Sequence, residues 1–152
     1  MSSSSKVKRI YVDTNVLINY CTEQSSDVRA LQYVFSKRKK EMLFTSSLAV
    51  VQTITKLQSG SKQHNRKAYS REITIKKLDE ILSKFTVLDL TFSDIIAGFN
   101  HLNNDIEDNV HYVLSQKMKC NAILTNNIKD FTFFKDIAAI ETNLALLKQK
   151  IQ

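Results

Sequence analysis

Residues 10–19 of the chain read IYVDTNVLIN. The apolar run Ile10-Tyr11-Val12 ends abruptly at Asp13-Thr14-Asn15, and apolar residues resume at Val16. A strand that ends in a carboxylate needs an explanation, because a buried charge is costly unless something compensates it. Asp13 either caps a helix that follows the strand or meets other acids around a cation.

The composition of the 152 residues is that of a globular protein with a sizeable core. Hydrophobic residues make up 43% and charged residues 24%, and there is no proline. Two cysteines are too few for a disulfide scaffold and fit a reducing compartment. We predict one domain over residues 7–152, preceded by a disordered tail over residues 1–6.

The chain shows no signal for secretion or for a membrane. Its opening, MSSSSK, lacks the apolar stretch of a signal peptide, and no later run is long enough to span a bilayer. We therefore expect a cytoplasmic protein without a membrane partner. The net charge of +7 attracts polyanions such as nucleic acid, although a lysine-rich soluble surface would explain it equally.

Short apolar segments alternate with stretches whose apolar residues recur at helical spacing. Ser25 or Ser26 is a candidate cap for the helix over residues 27–37. No Asn-Gly hairpin signal separates the strands, so the alternation predicts an α/β fold with a mainly parallel sheet of about five strands. The predicted strands are residues 7–12, 42–45, 86–90, 122–125 and 138–141.

Polar residues follow three of these strands at the point where each ends. Asp13 follows the first strand, Ser46 follows the second, and Thr125-Asn126-Asn127 follows the fourth. Sites in such sheets form at the carboxyl ends of the strands, so we expect these groups at one edge.

Two further polar stretches have structural explanations of their own. In NDIED, residues 104–108, Asp105 and Asp108 can share one face of a helix start, but they would also serve as a cap. In TNNIKDF, residues 125–131, a polar turn anchored by Phe131 is sufficient. Neither stretch alone distinguishes a site from local structure.

Taken together, these stretches resemble the PIN-domain family, nucleases that include the toxins of bacterial toxin–antitoxin modules. The order is VDTNVLI, a capped helix, and then DIEDNVHYVLSQKMKCNAILTNNIKDF. The resemblance runs from about Val7 to about Glu141. It implies a three-layer α/β/α sandwich, acids that bind Mg²⁺ or Mn²⁺ at the strand ends, and hydrolysis of phosphodiester bonds, usually in RNA.

The resemblance also assigns residues to the site. Asp13 matches the first metal-binding acid, and Asp108 matches the acid of the second motif, in which Asp105 also lies. Thr14, Asn15, Ser46 and Thr125 would orient acids or waters, although caps and turns explain them too.

Two positions depart from the family's pattern. The family usually has a glutamate on the helix after the second strand, and this chain has Gln52 at that position. The family usually has another acid just after the fourth strand, and this chain has Asn127 there. Asp130 would either take over the role of the acid that Asn127 replaces or only support the loop after the fourth strand. The lost charges should weaken ion binding, but Mg²⁺ often needs only one or two carboxylates.

Residues 56–77 form a basic arm with seven basic residues and one acid, Glu72. The arm could hold an RNA backbone beside the acids, dock an acidic partner, or be only a solvated helical segment. The residues assigned to RNA binding are Lys56, Lys62, Arg66, Lys67 and Arg71.

The resemblance thus implies a metal-dependent endoribonuclease in which Asp13 and Asp108 hold the ion. The resemblance adds a cognate antitoxin and a homodimer as partners. The alternative is a degenerate PIN-like module that binds RNA or protein through its basic arm without cutting. A phosphotransfer domain is disfavoured because the required lysine and hydroxyl cannot be mapped. His111 is predicted only as a helix-face residue, since no histidine shows metal-ligand spacing.

Overall fold

The computed structural model describes residues 7–101 and 103–152. The tail predicted over residues 1–6 lies outside the described residues. In the described part of the chain, five parallel strands form one sheet. The strands are β1 Ile10–Val12, β2 Leu43–Ser46, β3 Thr86–Leu88, β4 Ala122–Leu124 and β5 Ala138–Ile140.

Helices connect these strands. They are α1 Thr14–Cys21, α2 Ser25–Lys37, α3 Ser47–Ser59, α4 Arg71–Leu82, α5 Phe92–Phe99, α6 Ile106–Lys117, α7 Ile128–Phe131 and α8 Leu144–Lys150. None of the helices in the described residues has both the length and the apolar character needed to cross a membrane.

The strand order places β1 at the centre of the sheet. The order is β3-β2-β1-β4-β5, and Ile10 pairs with Leu43 on one side and with Ala122 on the other. The chain therefore reverses its direction of travel across the sheet beside β1. In open parallel sheets, the crevice at such a reversal is where ligands bind. Asp13 lies at this point, immediately after β1.

Separate clusters of buried side chains cover the two faces of the sheet. Ile10 and Val12 pack with residues of α1, α2 and α8, whereas Tyr11 packs with residues of α6 and α7. This division follows from the alternation of side chains along a strand. The result is a helix–sheet–helix arrangement, which confirms the predicted three-layer fold.

The five predicted strands are confirmed, four of them with fewer residues than predicted, whereas β2 is shifted by one residue so that Ser46 is its last residue rather than the residue after it. Two helical details differ. Helix α2 has Gln24 at its N-cap position and no side-chain cap, so the prediction of Ser25 or Ser26 as the cap was wrong. Helix α7 occupies a stretch that was predicted to be a turn. With four residues, α7 is too short to produce a helical hydrophobic period.

A compact loop joins α3 to α4 and carries part of the basic arm. Helix α3 ends at Gly60, whose φ of 67° lies in the left-handed region. Ser61 and Arg66 then exchange two backbone hydrogen bonds of 2.8 and 2.7 Å. The amide of Tyr69 donates to the carbonyl of Leu57 at 2.8 Å. These bonds hold the loop against α3.

Candidate functional site

Asp13 both caps a helix and lies at the centre of the site. Its backbone N–H donates to the carbonyl of Leu124 at 3.0 Å, which ties the end of β1 to β4. Its side-chain Oδ1 accepts the backbone N–H of Thr14 at 2.8 Å and thereby caps α1. The residue is only 5% exposed. The capping explanation for Asp13 is therefore correct but incomplete, since a cap does not need such burial.

Two side chains fix the other oxygen of this carboxylate. Asn15 Nδ2 and Thr125 Oγ1 each donate to Asp13 Oδ2 at 2.9 Å. Asn15 Oδ1 accepts the backbone N–H of Asn126 at 3.1 Å, which links α1 to the loop after β4. These contacts fix the position of the Asp13 carboxylate.

Asp108 is the second acid, and its surroundings disfavour its charge. It lies in the first turn of α6, where its backbone N–H donates to the capping carboxylate of Asp105 at 3.2 Å. Burial raises the pKa of Asp108 to about 7, and the negative charges of Asp105, Asp130 and Asp13 act in the same direction. The structure therefore brings Asp105, Asp130 and Asp13 close enough to Asp108 to disfavour its charge.

The two candidate site residues that follow β4, Asn127 and Asp130, are more exposed to solvent than Asp13. Asp130 is exposed on α7 and affects the site as a nearby charge. Asn127 is also exposed, and its backbone N–H donates to Thr125 Oγ1 at 3.0 Å. Because its side chain makes no capping bond to α7, it remains available to a ligand.

A buried histidine, which sequence analysis did not place in the site, lies beside the acids. His111 is 2% exposed, and its Nε2 lies 2.9 Å from Gln52 Oε1 and 3.8 Å from Asp13 Oδ1. Thr14 Oγ1 donates to the same Gln52 oxygen at 2.6 Å. The Gln52 oxygen therefore already accepts from two donors. Asp108 and His111 are three residues apart on α6, a spacing that indicates a shared helix face.

The hydrogen bonds determine which nitrogen of His111 carries its proton. An amide oxygen only accepts, so Nε2 donates to Gln52 and Nδ1 accepts from the Tyr11 hydroxyl at 2.7 Å. Tyr11 in turn lies 2.7 Å from Ser46 Oγ, which also caps α3. Burial lowers the pKa of His111, although the charge of Asp13 opposes this effect. The histidine is therefore a neutral bridge between Tyr11 and Gln52.

The donor set fits a hard divalent cation that is completed by other ligands. In the ranges 7–101 and 103–152, no three His, Cys, Asp or Glu side chains converge closely enough to hold an ion alone. The acids nevertheless offer oxygen ligands, and the crowding around Asp108 would be relieved by positive charge. A cation held by Asp13 and Asp108 with waters and substrate oxygens satisfies both conditions.

Of the five basic residues that were predicted to bind RNA, three line a groove beside the acids and two lie outside it. Lys56, Arg66 and Lys67 line a groove of about 930 Å³ between α1, the start of α2 and the loop after α3. Lys62 and Arg71 do not line it. Asn15 lines the groove as well, and it contacts Asp13. The groove therefore begins one side chain away from the acids.

Comparison with known proteins identifies the family to which the chain belongs. The PIN-domain model matches residues 10–139, which is more than half of the chain. The chain belongs to the PIN-domain family. PIN domains are generally nucleases. No curated protein sequence matches the chain at a significant level.

Solved structures share the PIN fold at low identity. VapBC2 from Rickettsia felis, bound to a DNA fragment from its promoter, has a TM-score of 0.62 and 17% identity, covering 87% of this chain and 98% of that one. PAE2754 from Pyrobaculum aerophilum has a TM-score of 0.62 and 15% identity, covering 93% and 95%. VapC20 from Mycobacterium tuberculosis, a toxin that cleaves the sarcin–ricin loop, has a TM-score of 0.55 and 12% identity, covering 75% and 86%.

Proposed function

We propose that this PIN domain is a metal-dependent endoribonuclease and the toxin of a toxin–antitoxin pair. The observation that carries the proposal is the position of Asp13. A buried carboxylate lies at the reversal point of a parallel sheet and adds to the negative charge around Asp108. Such crowding of acids is unfavourable for the free protein, which supports a site shaped for a cation.

Asp13 and Asp108 would hold Mg²⁺ or Mn²⁺. A bound ion would lower the pKa of its own water and offset negative charge on the scissile phosphate. Asn15 and Thr125 keep the Asp13 carboxylate turned toward the site through their two 2.9 Å hydrogen bonds. Asp105 and Asp130 add negative charge near Asp108 and strengthen the attraction for the cation.

Gln52 and Asn127 would act as neutral ligands or position waters. The oxygen of Gln52 accepts from Thr14 and His111, which occupies both of its lone pairs, so Gln52 would position a water through its NH₂ group rather than bind the ion. An amide oxygen is a weaker ligand than a carboxylate, so we expect slow cleavage that needs a high concentration of metal.

The proposed partners are RNA and a cognate antitoxin, with the toxin itself as a homodimer. Support comes from the family, which includes toxins of such modules, and from the fold shared with the toxin VapC20. Co-expression with the protein encoded by the adjacent reading frame tests the antitoxin. Light scattering of the purified chain tests the dimer.

The deciding experiment is cleavage of a panel of structured and single-stranded RNAs with Mg²⁺, with Mn²⁺ and with EDTA. We expect cutting that requires metal and is lost in Asp13→Asn, which controls for contaminating nuclease. Circular dichroism of this variant shows that the fold is retained. A folded wild-type protein that cuts no RNA with either metal would contradict the proposal.

A binding module without catalysis is the second candidate. The two amides at positions 52 and 127, and the lack of three converging ligands in the described ranges, favour it. Gln52→Glu with Asn127→Asp separates the candidates. If the protein is a weakened nuclease, the added acids raise its affinity for Mn²⁺. If it is a binding module whose pocket no longer serves a metal, they leave that affinity unchanged.

A further inference from the structure

Asp27 is a buried acid that the proposed metal site does not use. It is the third residue of α2 and is only 2% exposed. Its Oδ2 accepts from Asn126 Nδ2 and its Oδ1 accepts from Thr142 Oγ1, each at 2.8 Å. Because Asn126 follows β4 and Thr142 follows β5, this one carboxylate joins the start of α2 to two loops at the carboxyl edge of the sheet.

The local structure of α2 does not account for this arrangement. An acid in the first turn of a helix interacts favourably with the helix dipole, but an exposed acid would do so without the cost of burial. Asp27 does not cap α2, which has no side-chain cap. Within residues 7–101 and 103–152, no basic side chain forms an ion pair with Asp27. The burial of this acid therefore needs another explanation.

Asn126 connects Asp27 to Asp13. The side-chain Nδ2 of Asn126 donates to Asp27, and its backbone N–H donates to Asn15 Oδ1 at 3.1 Å. Asn15 Nδ2 in turn donates to Asp13 Oδ2 at 2.9 Å. Two asparagines thus form a continuous series of hydrogen bonds that leads from Asp27 to the Asp13 carboxylate.

Thr142 holds the same asparagine from the side of β5. Its hydroxyl lies between Asp27 Oδ1 and Asn126 Oδ1 and donates toward both oxygens. Asn126 is exposed as a residue, yet its side-chain nitrogen, its side-chain oxygen and its backbone N–H are all engaged. A loop residue that is held at three atoms keeps little conformational freedom.

We infer that Asp27 is a positioning residue, which fixes the loop after β4 and, through Asn126 and Asn15, the orientation of the Asp13 carboxylate. Groups that orient a metal ligand commonly lower the affinity for the metal when they are removed. The consequence for a bound ion rests on the proposed function, whereas the consequence for the loop does not.

Asp27→Asn tests the loop in the metal-free protein. Both partners of Asp27 donate hydrogen bonds, so an NH₂ group in place of one oxygen faces a donor. We expect the backbone amides of residues 126 and 127 and the side-chain amide of Asn15 to exchange with solvent roughly tenfold faster, as measured by NMR. The swap Asp27→Asn/Asn126→Asp reverses donor and acceptor and should restore slow exchange.

Ser26→Ala is the matched control. Ser26 Oγ donates to Asp27 Oδ1 at 3.3 Å from within α2, outside the series of bonds that leads to Asp13. Its removal should leave the exchange rates at their wild-type values. Unchanged exchange in Asp27→Asn, or an equal increase in Ser26→Ala, would overturn the inference. Fast exchange that the swap does not slow would show a general loss of stability and would overturn it too.

Mn²⁺ calorimetry separates positioning from a purely structural role. A residue that only stabilises the fold changes the free energy of unfolding but not the metal affinity of the folded protein. At a temperature where circular dichroism shows Asp27→Asn to be folded, we expect it to bind Mn²⁺ roughly tenfold more weakly than the wild type. Ser26→Ala should bind as the wild type does. Faster exchange with unchanged Mn²⁺ affinity would refute the positioning role.

Failure of this inference is distinguishable from failure of the proposed function. If the wild type binds Mn²⁺ and cuts RNA, and Asp27→Asn exchanges and binds Mn²⁺ as the wild type does, the role of Asp27 is refuted and the nuclease stands. If the wild type neither binds Mn²⁺ nor cuts RNA, the nuclease is refuted. The exchange rates then decide by themselves whether Asp27 fixes the loop.

Discussion

At the scale of single residues, Asp108 is the position where the proposed function and the stability of the metal-free protein conflict. Its folded-state pKa is raised to about 7, above the value of about 3.9 that it has in an unfolded chain. Between these two pH values the unfolded chain gives up the proton and the folded chain keeps it. The contribution of Asp108 to stability therefore falls as the pH rises from about 4 to about 7.

Asp108→Asn should consequently stabilise the metal-free protein at neutral pH. Because the side chain is partly exposed and screened by solvent, we expect a gain of about 1 kcal/mol at pH 7.5 that disappears near pH 4. Urea denaturation at both pH values measures the difference. A variant that is less stable than the wild type at pH 7.5 would show that Asp108 has a favourable partner.

His111 is expected to support the site through Gln52 and Tyr11. His111→Ala leaves the Gln52 oxygen with one donor fewer and deprives the Tyr11 hydroxyl of its acceptor, and it opens a cavity in the core. We expect a loss of about 2–3 kcal/mol in the free energy of unfolding. Chemical denaturation measures this loss. His111→Gln, which keeps a donor and an acceptor, should lose less.

Mn²⁺ calorimetry tests whether His111 also positions the site. We expect His111→Ala to bind Mn²⁺ more weakly than the wild type and His111→Gln to recover part of the affinity. Unchanged Mn²⁺ affinity in a folded His111→Ala would restrict the residue to a structural role.

The candidate acids could be named from the sequence, whereas the hydrogen-bond network around His111 could not. Asp13 and Asp108 were assigned by the resemblance to the PIN-domain family, because local spacing alone was explained equally well by helix capping. His111 contacts Tyr11 and Gln52 across 100 and 59 positions of sequence, and only the fold brings such residues together. The clue in the sequence was its position three residues after Asp108, on the face that carries the acid.

At the scale of elements, strands and long helices followed from periodicity, and short helices did not. The apolar pattern located β1 to β5 because each strand is bounded by polar residues. Helix α1 begins directly after β1 and carries the contiguous apolar residues 16–18, which give no helical period. Helix α7 is shorter still. Both flank the site, so the least predictable elements position its polar groups.

The loop after α3 depends on one glycine. A Cβ on Gly60 would lie 2.7 Å from both the amide nitrogen of Ala68 and the carbonyl oxygen of Arg66, and the φ of 67° is itself unfavourable for alanine. We expect Gly60→Ala to cost about 1–3 kcal/mol and to displace the loop. Denaturation measures the cost, and RNA anisotropy measures the effect on the groove.

Ser59→Ala is the control for this prediction. It changes the neighbouring exposed residue, whose hydroxyl only bonds the carbonyl of Thr55 at 2.6 Å. Stability should change by less than about 0.5 kcal/mol, and RNA affinity should not change. A Gly60→Ala variant as stable as Ser59→Ala would mean that the loop relaxes without strain.

At the scale of the whole molecule, charge is unevenly distributed around the site. The chain carries a net charge of +7, yet several acids lie around Asp108 while Lys56 and Lys67 line the adjacent groove. The positive field attracts RNA over distances up to the Debye length, about 8 Å at physiological salt, and the acids repel it locally. A divalent cation between the acids and the RNA would remove this conflict.

Cation binding should therefore stabilise the whole fold. An ion that binds only the folded chain raises the free energy of unfolding by about 2.7 kcal/mol at one hundred times its Kd. For a chain of this size, that gain corresponds to an increase in Tm of about 5–10 °C. Thermal denaturation with increasing Mn²⁺ or Mg²⁺ in the absence of RNA measures the increase.

Asp13→Asn also alters the cap of α1 and can change the Tm without any metal. The quantity to compare is therefore the increase in Tm that metal causes within each variant. We expect the shift to vanish in Asp13→Asn and to shrink in Asp108→Asn. In Lys56→Gln/Lys67→Gln it should persist, since these lysines lie in the groove and away from the acids. An equal shift in all four proteins would place the bound ion elsewhere and would remove the physical reason for the acids at the end of β1.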